Sequence, residues 1–228
     1  MLGPEAGDPP VDKYVQRIPR PVGASAAGPP PWASVDVAQR RITMDGVRRA
    51  VAGRVGARYD APSPDGRRSA VLVPFYVHDG EPYLIFTRRT EHLRTHQGQV
   101  SFPGGRIDPG ETPVQAALRE AHEEIGLAPE HVEVLGELDH LVTFSVGSFV
   151  VPIVGFIPEL PRLTTNPVEV ARLFSLPASE LLHDDVFHQE DWGDGRPFTV
   201  PFFELEHETI WGATGRMLVN LFRLVLDV

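Results

Sequence analysis

Cysteine is absent from the 228-residue sequence, which excludes disulfide scaffolds, cysteine-ligated zinc, iron–sulfur clusters and a catalytic thiol. Long apolar runs are also missing. The longest, residues 149–158, is far too short to cross a bilayer, and residues 1–20 have no apolar region typical of a signal peptide. Positive charge is scarce: 21 basic residues against 31 acidic ones give a formal net charge of -10, which disfavours general binding to nucleic acid or to an anionic membrane. We therefore expect a soluble cytoplasmic protein.

The beginning of the sequence differs in composition from the rest. Eight of the 23 prolines lie within the first 31 residues, among many glycines and alanines, and such a stretch cannot form a core of its own. We interpret residues 1–38 as a flexible arm that is dispensable for folding. The alternative is an arm that lies on the body or on a partner subunit of a homodimer. Residues 39–228 are expected to form one domain.

Hydrophobic periodicity predicts a mixture of strands and helices in that domain. Apolar residues recur at helical spacing from Thr43 to Val55, and Asp79-Gly80 is a hairpin signal between two apolar, β-branched runs. Strands are expected over residues 69–78, 82–87, 131–145, 149–158, 169–176, 198–203 and 207–211, and a closing helix over 212–228. Strands predominate but helices punctuate them, so the predicted fold class is α/β.

One further helix is defined by its end signals. Thr112 is a suitable N-cap, Pro113 suits the first helical position, and Gln115 completes a capping box with Thr112. Gly126 supplies a C-terminal stop, so a helix over residues 113–125 is expected. By helical geometry one of its faces is apolar and must be buried. That face comprises Val114, Ala117, Leu118, Ala121 and Ile125.

Glutamates form a stripe beside that apolar face. Glu120 and Glu124 are four residues apart and stack directly, which costs an isolated helix roughly 0.2–0.5 kcal/mol in like-charge repulsion. One explanation is a solvated acidic face in which Arg119 pairs with Glu123 or reaches Glu111. The other is a divalent cation, because hard oxygen ligands on consecutive helical turns suit Mg²⁺ or Mn²⁺. A pair of glycines before the helix would let backbone carbonyls approach the same ion.

Taken together, the loop and the helix resemble the signature of the Nudix hydrolases. The fixed positions of that signature are filled by Gly105, Glu111, Arg119, Glu120, Glu123, Glu124 and Gly126, with Ala121 and Leu127 in its two apolar slots. The resemblance implies a Nudix-type α/β/α sandwich around a mixed β-sheet. It also implies a pyrophosphohydrolase that cleaves a nucleoside diphosphate linked to another moiety and uses Mg²⁺ or Mn²⁺.

The same resemblance assigns roles to these positions. Glu120 and Glu124 would be the principal metal ligands, with Glu123 a further ligand and the Gly104 carbonyl a fourth contact. The loop and the helix would be held in register by Arg119, Glu111 and Gly105. The expected catalytic residues are Glu120, Glu123 and Arg119.

A metal site of this kind suits the chemistry of a pyrophosphate bridge. The bridge is kinetically inert because its negative charge repels an incoming hydroxide, so catalysis needs cations that neutralise the phosphates and acidify a bound water. A carboxylate could then take the proton of that water. Glu120 is our first candidate for this base and Glu169 our second.

The segment before the glycines resembles the second motif of the coenzyme A pyrophosphatase branch of the family. Arg94, Gly98 and the sequence Phe-Pro-Gly-Gly at residues 102–105 fall in register, while Thr90 stands where Ser or Ala is usual. Residues 210–218 resemble the Trp-Gly-Ala-Thr helix start of the same branch, with a glycine at position 215 where alanine is commoner. This resemblance implies a coenzyme A-like substrate.

Basic residues also cluster in this region of an otherwise acidic chain. The predicted substrate-binding residues are Arg88, Arg89, Arg94 and Arg106, because a guanidinium suits bidentate contacts to phosphate. A solvated loop is the alternative for the arginines, and His92 and His96 are interpreted as plain loop residues in preference to ligand-binding ones. Competing functions are hydrolysis of ADP-ribose, a nucleotide sugar or NADH by the same site, and a non-catalytic Nudix-fold binding or regulatory module. The intact glutamates argue against the last of these.

Overall fold

The computed structural model describes residues 16, 18–57, 68–91, 98–143, 148–193 and 198–228. The helices are α1 (Met44–Val51), α2 (Pro113–Ile125) and α3 (Gly212–Leu226). The strands are β1 (Ser25–Ala26), β2 (Arg68–His78), β3 (Glu81–Arg89), β4 (Val100–Ser101), β5 (Gly104–Arg106), β6 (Glu133–Glu137), β7 (Leu141–Val142), β8 (Phe149–Phe156), β9 (Val170–Pro177), β10 (Phe187–Asp191), β11 (Thr199–Glu204) and β12 (Thr209–Trp211). Within these ranges no helix has the length and apolarity that crossing a bilayer would need.

The larger sheet is mixed and is buried on both faces. Its strands run in the order β4-β3-β2-β8-β6, with β5 beside β2, β7 beside β8 and β9 beside β3. The β2–β8 pair is parallel and the other pairs are antiparallel. Side chains of β2 alternate between two cores: Leu72 and Tyr76 join the core under α2, whereas Val73 and Phe75 join the core that includes α1 and α3. The predicted α/β/α sandwich around a mixed sheet is confirmed.

Most predicted elements are found near their expected positions, because their signals are local. The β2–β3 hairpin turns at Asp79 and Gly80, whose φ angles of 50° and 82° are the pair of positive values that a tight two-residue turn requires. The helix predicted from residue 43 ends earlier than expected, at Val51. Strand β10 was not predicted from the sequence; it pairs with β11 in the second sheet.

The second sheet has four antiparallel strands in the order β1-β10-β11-β12 and packs against α3. Its inner face contributes Phe187 and Phe203 to the core shared with α3. Because β1 is its edge strand, the sheet includes a piece of the N-terminal segment: Ser25 pairs with Asp191, and Ala26 pairs with Glu190. The small sheet therefore joins the start of the chain to its C-terminal third.

The structure corrects the expectation of a flexible arm for residues 18–38. Trp32 in this segment is 0% exposed, and its indole ring contacts the rings of Phe187, Phe203 and Phe222. The sequence did not predict this contact for two reasons. The high proline content indicated a flexible segment, and a single buried tryptophan creates no periodic pattern. The segment packs on the body, as in the alternative interpretation, while residues 1–15 and 17 lie outside the described residues.

This packing predicts that Trp32→Ala destabilises the protein by roughly 3–5 kcal/mol, because the variant removes a large buried aromatic side chain and leaves a cavity. Val22→Ala is the matched control, since Val22 lies in the same segment and is 97% exposed. Urea unfolding followed by fluorescence and circular dichroism measures both. Equal midpoints for wild type and Trp32→Ala would show that the segment contributes nothing to folding.

Candidate active site

Helix α2 carries the acidic residues and has the predicted ends. The Thr112 hydroxyl accepts a hydrogen bond from the Gln115 N–H, and the Gln115 side chain accepts one from the Thr112 N–H. Gly126 ends the helix in the left-handed conformation, with φ of 68°. The predicted bounds of 113–125 and the capping box are confirmed.

The buried face of α2 is rotated slightly from the predicted one. Its buried members are Ala116, Ala117, Ala121, Glu124 and Ile125. Val114 and Leu118 of the predicted face are only partly buried, although both pack against this core. The rotation brings one glutamate of the stripe under the sheet, so the stripe is not uniformly solvated.

Arg119 holds the loop and the helix together. Its Nε donates to Glu111 at 2.9 Å, and its Nη2 donates to the Arg106 carbonyl at 2.9 Å. Its Nη1 lies 3.0 Å from a carboxylate oxygen of Glu120 and 3.0 Å from one of Glu123. The hydrogen bond from Arg119 lowers the pKa of Glu111. Both pairings weighed for Arg119, with Glu123 and with Glu111, therefore occur in the same structure.

Glu124 is the most enclosed of these carboxylates. Its residue is 3% exposed, its Oε2 accepts a hydrogen bond of 3.2 Å from the Gly104 N–H, and its Oε1 lies 3.6 Å from Nη1 of Arg89. Burial raises the pKa of Glu124 to about 7, against the opposing effect of Arg89. Burial also raises the pKa of Glu120, against the opposing effect of Arg119. The two carboxylates thus share a poorly hydrated space between two arginines.

Two glycines make room for the carboxylates. A Cβ built on Gly105 would lie 2.5 Å from the carboxylate of Glu120, and a Cβ on Gly104 would lie 2.4 Å from the Ala70 carbonyl oxygen. Strand β5 can therefore pair with β2 and pass close to α2 because these two residues lack side chains. The Gly104 N–H contacts Glu124 directly; a metal contact by its carbonyl stays a prediction.

The segment that precedes β9 contacts the C-terminal end of α2, close to the carboxylates. The segment before β9 is fixed to this helix by two hydrogen bonds, from the Thr164 N–H to the Ile125 carbonyl and from the Asn166 N–H to the Glu124 carbonyl. It carries Glu169, whose negative charge contributes to the raised pKa of both Glu120 and Glu124. The second candidate for the base therefore lies within electrostatic reach of the acidic pair.

These residues fit a divalent cation by their chemistry. Glu120 and Glu124 offer oxygen ligands on consecutive turns, beside a backbone that has no Cβ in the way. Glu123 is more open, with 57% of its side chain exposed, and it contacts Arg119. Among the described residues no three acidic or histidine side chains are gathered closely enough to form a cation cage. In this structure Arg119 and Arg89 supply the positive charge beside Glu120 and Glu124.

The structure separates the four predicted substrate-binding arginines. Arg89 reaches the carboxylates, and its Nε is buried without a hydrogen-bond partner. Arg88 contacts Glu208 instead, 3.0 Å away, in keeping with the alternation of side chains along β3. Arg106 ends β5 with an exposed side chain, and its carbonyl binds Arg119. Arg94 lies outside the described residues, as do His92 and His96.

Sequence reasoning missed Glu208 and its second partner, Arg172. Both are far from the predicted basic cluster along the chain, and neither belongs to a spaced motif. Their charges alone would not have distinguished them from surface residues. Only the pairing of β3 with β9 and the turn between β11 and β12 bring them to Arg88.

Comparisons with known proteins agree with this geometry. The NUDIX domain family model matches residues 66–192, more than half of the chain. The uncharacterized Nudix hydrolase NudL of Photorhabdus laumondii is 41% identical over 165 residues, covering 72% of this chain and 87% of that protein. NudL of Yersinia pestis (strain Pestoides F) is also 41% identical over 165 residues, covering 72% of this chain and 82% of that protein.

A solved structure supports the fold independently. A MutT/nudix family protein from Enterococcus faecalis superposes with a TM-score of 0.51 at 16% identity, covering 77% of this chain and 66% of that one. At this identity the likeness concerns the fold alone. The family match, the relatives and the acidic helix beside its two glycines lead to one conclusion: the chain belongs to the Nudix family and is a Nudix hydrolase.

Proposed function

We propose that the protein hydrolyses the pyrophosphate bond of coenzyme A or its thioesters, giving 3′,5′-ADP and 4′-phosphopantetheine or its acyl derivative. Nudix hydrolases generally use divalent metal ions, and we propose Mg²⁺ or Mn²⁺ for this one. The observation that carries the substrate proposal concerns residues 85–105, which resemble the coenzyme A branch. Near its start this segment contains Arg89, which contacts Glu124. At its end it contains the two glycines that make room for the carboxylates.

Arg89 is suited to a diphosphate. Its guanidinium lies beside Glu124, and its buried Nε has no hydrogen-bond partner, so a donor remains for an anionic ligand. A guanidinium also tolerates desolvation better than an ammonium and can bind two phosphate oxygens in one plane. We assign Arg89 to the diphosphate of the substrate.

The Trp-Gly-Ala-Thr helix start at residues 210–218 adjoins the segment of residues 85–105 in space. The Thr214 hydroxyl, at the start of α3, donates a hydrogen bond of 3.1 Å to the Val100 carbonyl in β4. The glycine at position 215 has a local reason, since a Cβ there would lie 2.9 Å from the Pro201 carbonyl oxygen. The departure from alanine thus reflects packing against β11, and it leaves the resemblance to the branch intact.

A divalent cation at this site would supply positive charge to neutralise the phosphates and to acidify the attacking water. Glu120 and Glu124 would hold that cation, and Gly104 keeps Glu124 oriented through its N–H. Arg119 keeps Glu120 and the preceding loop in register. Glu120 or Glu169 would accept the proton of the water. Hydrolysis of ADP-ribose, a nucleotide sugar or NADH is the competing assignment.

We predict that Glu120→Gln and Glu124→Gln each lower kcat by on the order of 10³, as expected when a metal-held nucleophile is lost. In the presence of a chelator at pH 8, Glu124→Gln should instead raise Tm by on the order of a few degrees, because a neutral amide replaces a buried carboxylate. Added Mg²⁺ or Mn²⁺ should raise the Tm of wild type but not that of Glu124→Gln.

The matched control for both measurements is Glu130→Gln, because Glu130 is exposed and lies outside the acidic site. It should leave kcat and the metal-induced shift in Tm unchanged. Full activity of Glu120→Gln would remove the basis of the site assignment.

The substrate assignment predicts that coenzyme A has the highest kcat/KM in a panel with dephospho-coenzyme A, ADP-ribose and NADH, with products separated by chromatography. Arg94→Ala should weaken the binding of coenzyme A by roughly 1.5–3 kcal/mol, which is the free energy of a hydrogen bond to a charged group. The loss should be smaller for dephospho-coenzyme A if Arg94 binds the 3′-phosphate, and equal if it binds the diphosphate.

Arg41→Ala serves as the control, since Arg41 is an exposed arginine that precedes α1. A wild type that prefers ADP-ribose would leave the Nudix hydrolase assignment in place and overturn the coenzyme A proposal.

A further inference from the structure

Two arginines face each other behind the active site and share one carboxylate. Arg88 of β3 and Arg172 of β9 are direct cross-strand partners. The Nη1 atom of each lies 3.0 Å from Oε1 of Glu208, and the three side chains are 12%, 24% and 8% exposed. Like charges directly opposite each other destabilise a strand pair, and the Glu208 carboxylate offsets this repulsion because it contacts both guanidinium groups.

The arginine pair stands immediately before a change of register. Arg88 pairs with Arg172, but the next residue of β3, Arg89, pairs with Val170, so Ala171 is an extra residue on β9. A bulge of this kind interrupts the ladder of hydrogen bonds and re-aims the neighbouring side chains. The ladder between β3 and β9 is therefore interrupted at Arg89, whose side chain contacts Glu124.

The residues beyond the register change belong to the active site. The Arg89 N–H donates to the Gln99 carbonyl at 3.0 Å, and the Thr90 N–H donates to the Glu169 carbonyl at 3.0 Å. Arg89 contacts Glu124, and the segment that carries Glu169 is hydrogen-bonded to α2. A shift of β3 against β9 at this point would displace both.

Glu208 comes from the other sheet. It lies in the turn between β11 and β12, where the Leu205 N–H donates to its carbonyl at 2.9 Å and Glu204 pairs with Thr209. The turn is therefore constrained by backbone contacts of its own. The Glu208 carboxylate connects the small sheet to the β3–β9 pair of the large sheet.

We propose that Glu208 is a positioning residue of the hydrolase: it fixes Arg88 and Arg172 at the register change and thereby holds Arg89 and the Glu169 segment against the acidic helix. The proposal rests on the assignment of Arg89 to the substrate. Removing Glu208 would take away the carboxylate that both guanidinium groups contact, and removing one partner of a buried ion pair is strongly destabilising. If Arg88 and Arg172 move apart, the backbone at the adjacent bulge is the first part of the strand pair that we expect to shift.

Amide hydrogen exchange tests the positional part without any substrate. In Glu208→Gln the amides of Arg89 and Thr90 should exchange faster by roughly tenfold or more, because local opening at the bulge becomes easier. The amide of Ile157, which donates to the Phe75 carbonyl elsewhere in the large sheet, is the internal control and should be unchanged. Uniform acceleration at all three amides, or none, would overturn the proposal. If Glu208→Gln does not fold, Glu208→Asp takes its place with a smaller expected effect.

A double-mutant cycle tests the functional part. Glu208→Gln should lower kcat/KM by roughly tenfold or more, since small displacements of positioning groups have large effects on rate. In an Arg89→Ala background the same substitution should lower kcat/KM by less than about threefold, because the side chain through which Glu208 acts has been removed. Glu208→Asp should recover part of the lost activity.

Equal losses in the two backgrounds would show that Glu208 does not act through Arg89. Trp32→Phe, a conservative change in the distant aromatic core, is the control for a general effect of lowered stability on activity. If wild type cleaves no member of the substrate panel, the proposed function fails, while hydrogen exchange still decides whether Glu208 fixes the bulge.

Discussion

The acidic site depends on the close approach of a side-chain-free backbone to both a strand and a helix. Strand β5 lies against β2 on one side and against α2 on the other, at distances where a Cβ on Gly104 or Gly105 would overlap neighbouring atoms. This contact lets Glu120 and Glu124 sit against the backbone instead of projecting into solvent. Their desolvation follows directly, and it raises the pKa of both carboxylates.

Desolvated carboxylates four residues apart need positive charge, and the fold provides it from two directions. Arg119 approaches Glu120 from the loop side, where it also binds Glu111 and the Arg106 carbonyl. Arg89 approaches Glu124 from the strand side. The two arginines have different freedom: Arg119 is engaged on every side, whereas Arg89 keeps an unpaired buried donor. This asymmetry supports the proposed assignment of Arg89 to an anionic ligand.

The sequence predicts α2, its capping box and the β2–β3 hairpin because each is encoded by neighbours along the chain. It also predicts that Glu120 and Glu124 lie next to each other on α2, because they are four residues apart. It does not predict which arginines reach them, because charge density carries no information on the face of a strand: Arg88 and Arg89 look equivalent in sequence and contact different carboxylates. The burial of Trp32 and the contact of Glu208 with β3 depend on tertiary packing, which no local pattern encodes.

The domain match covers residues 66–192, but the packing does not stop at those limits. Phe187, inside the matched range, is enclosed by Trp32 from before it and by Phe203 from after it. Glu208 also lies beyond the matched range and neutralises two arginines within it. A fragment restricted to the match would expose an aromatic cluster and leave two facing cations without their shared carboxylate. The segments outside the match therefore complete both the core and the charge balance behind the site.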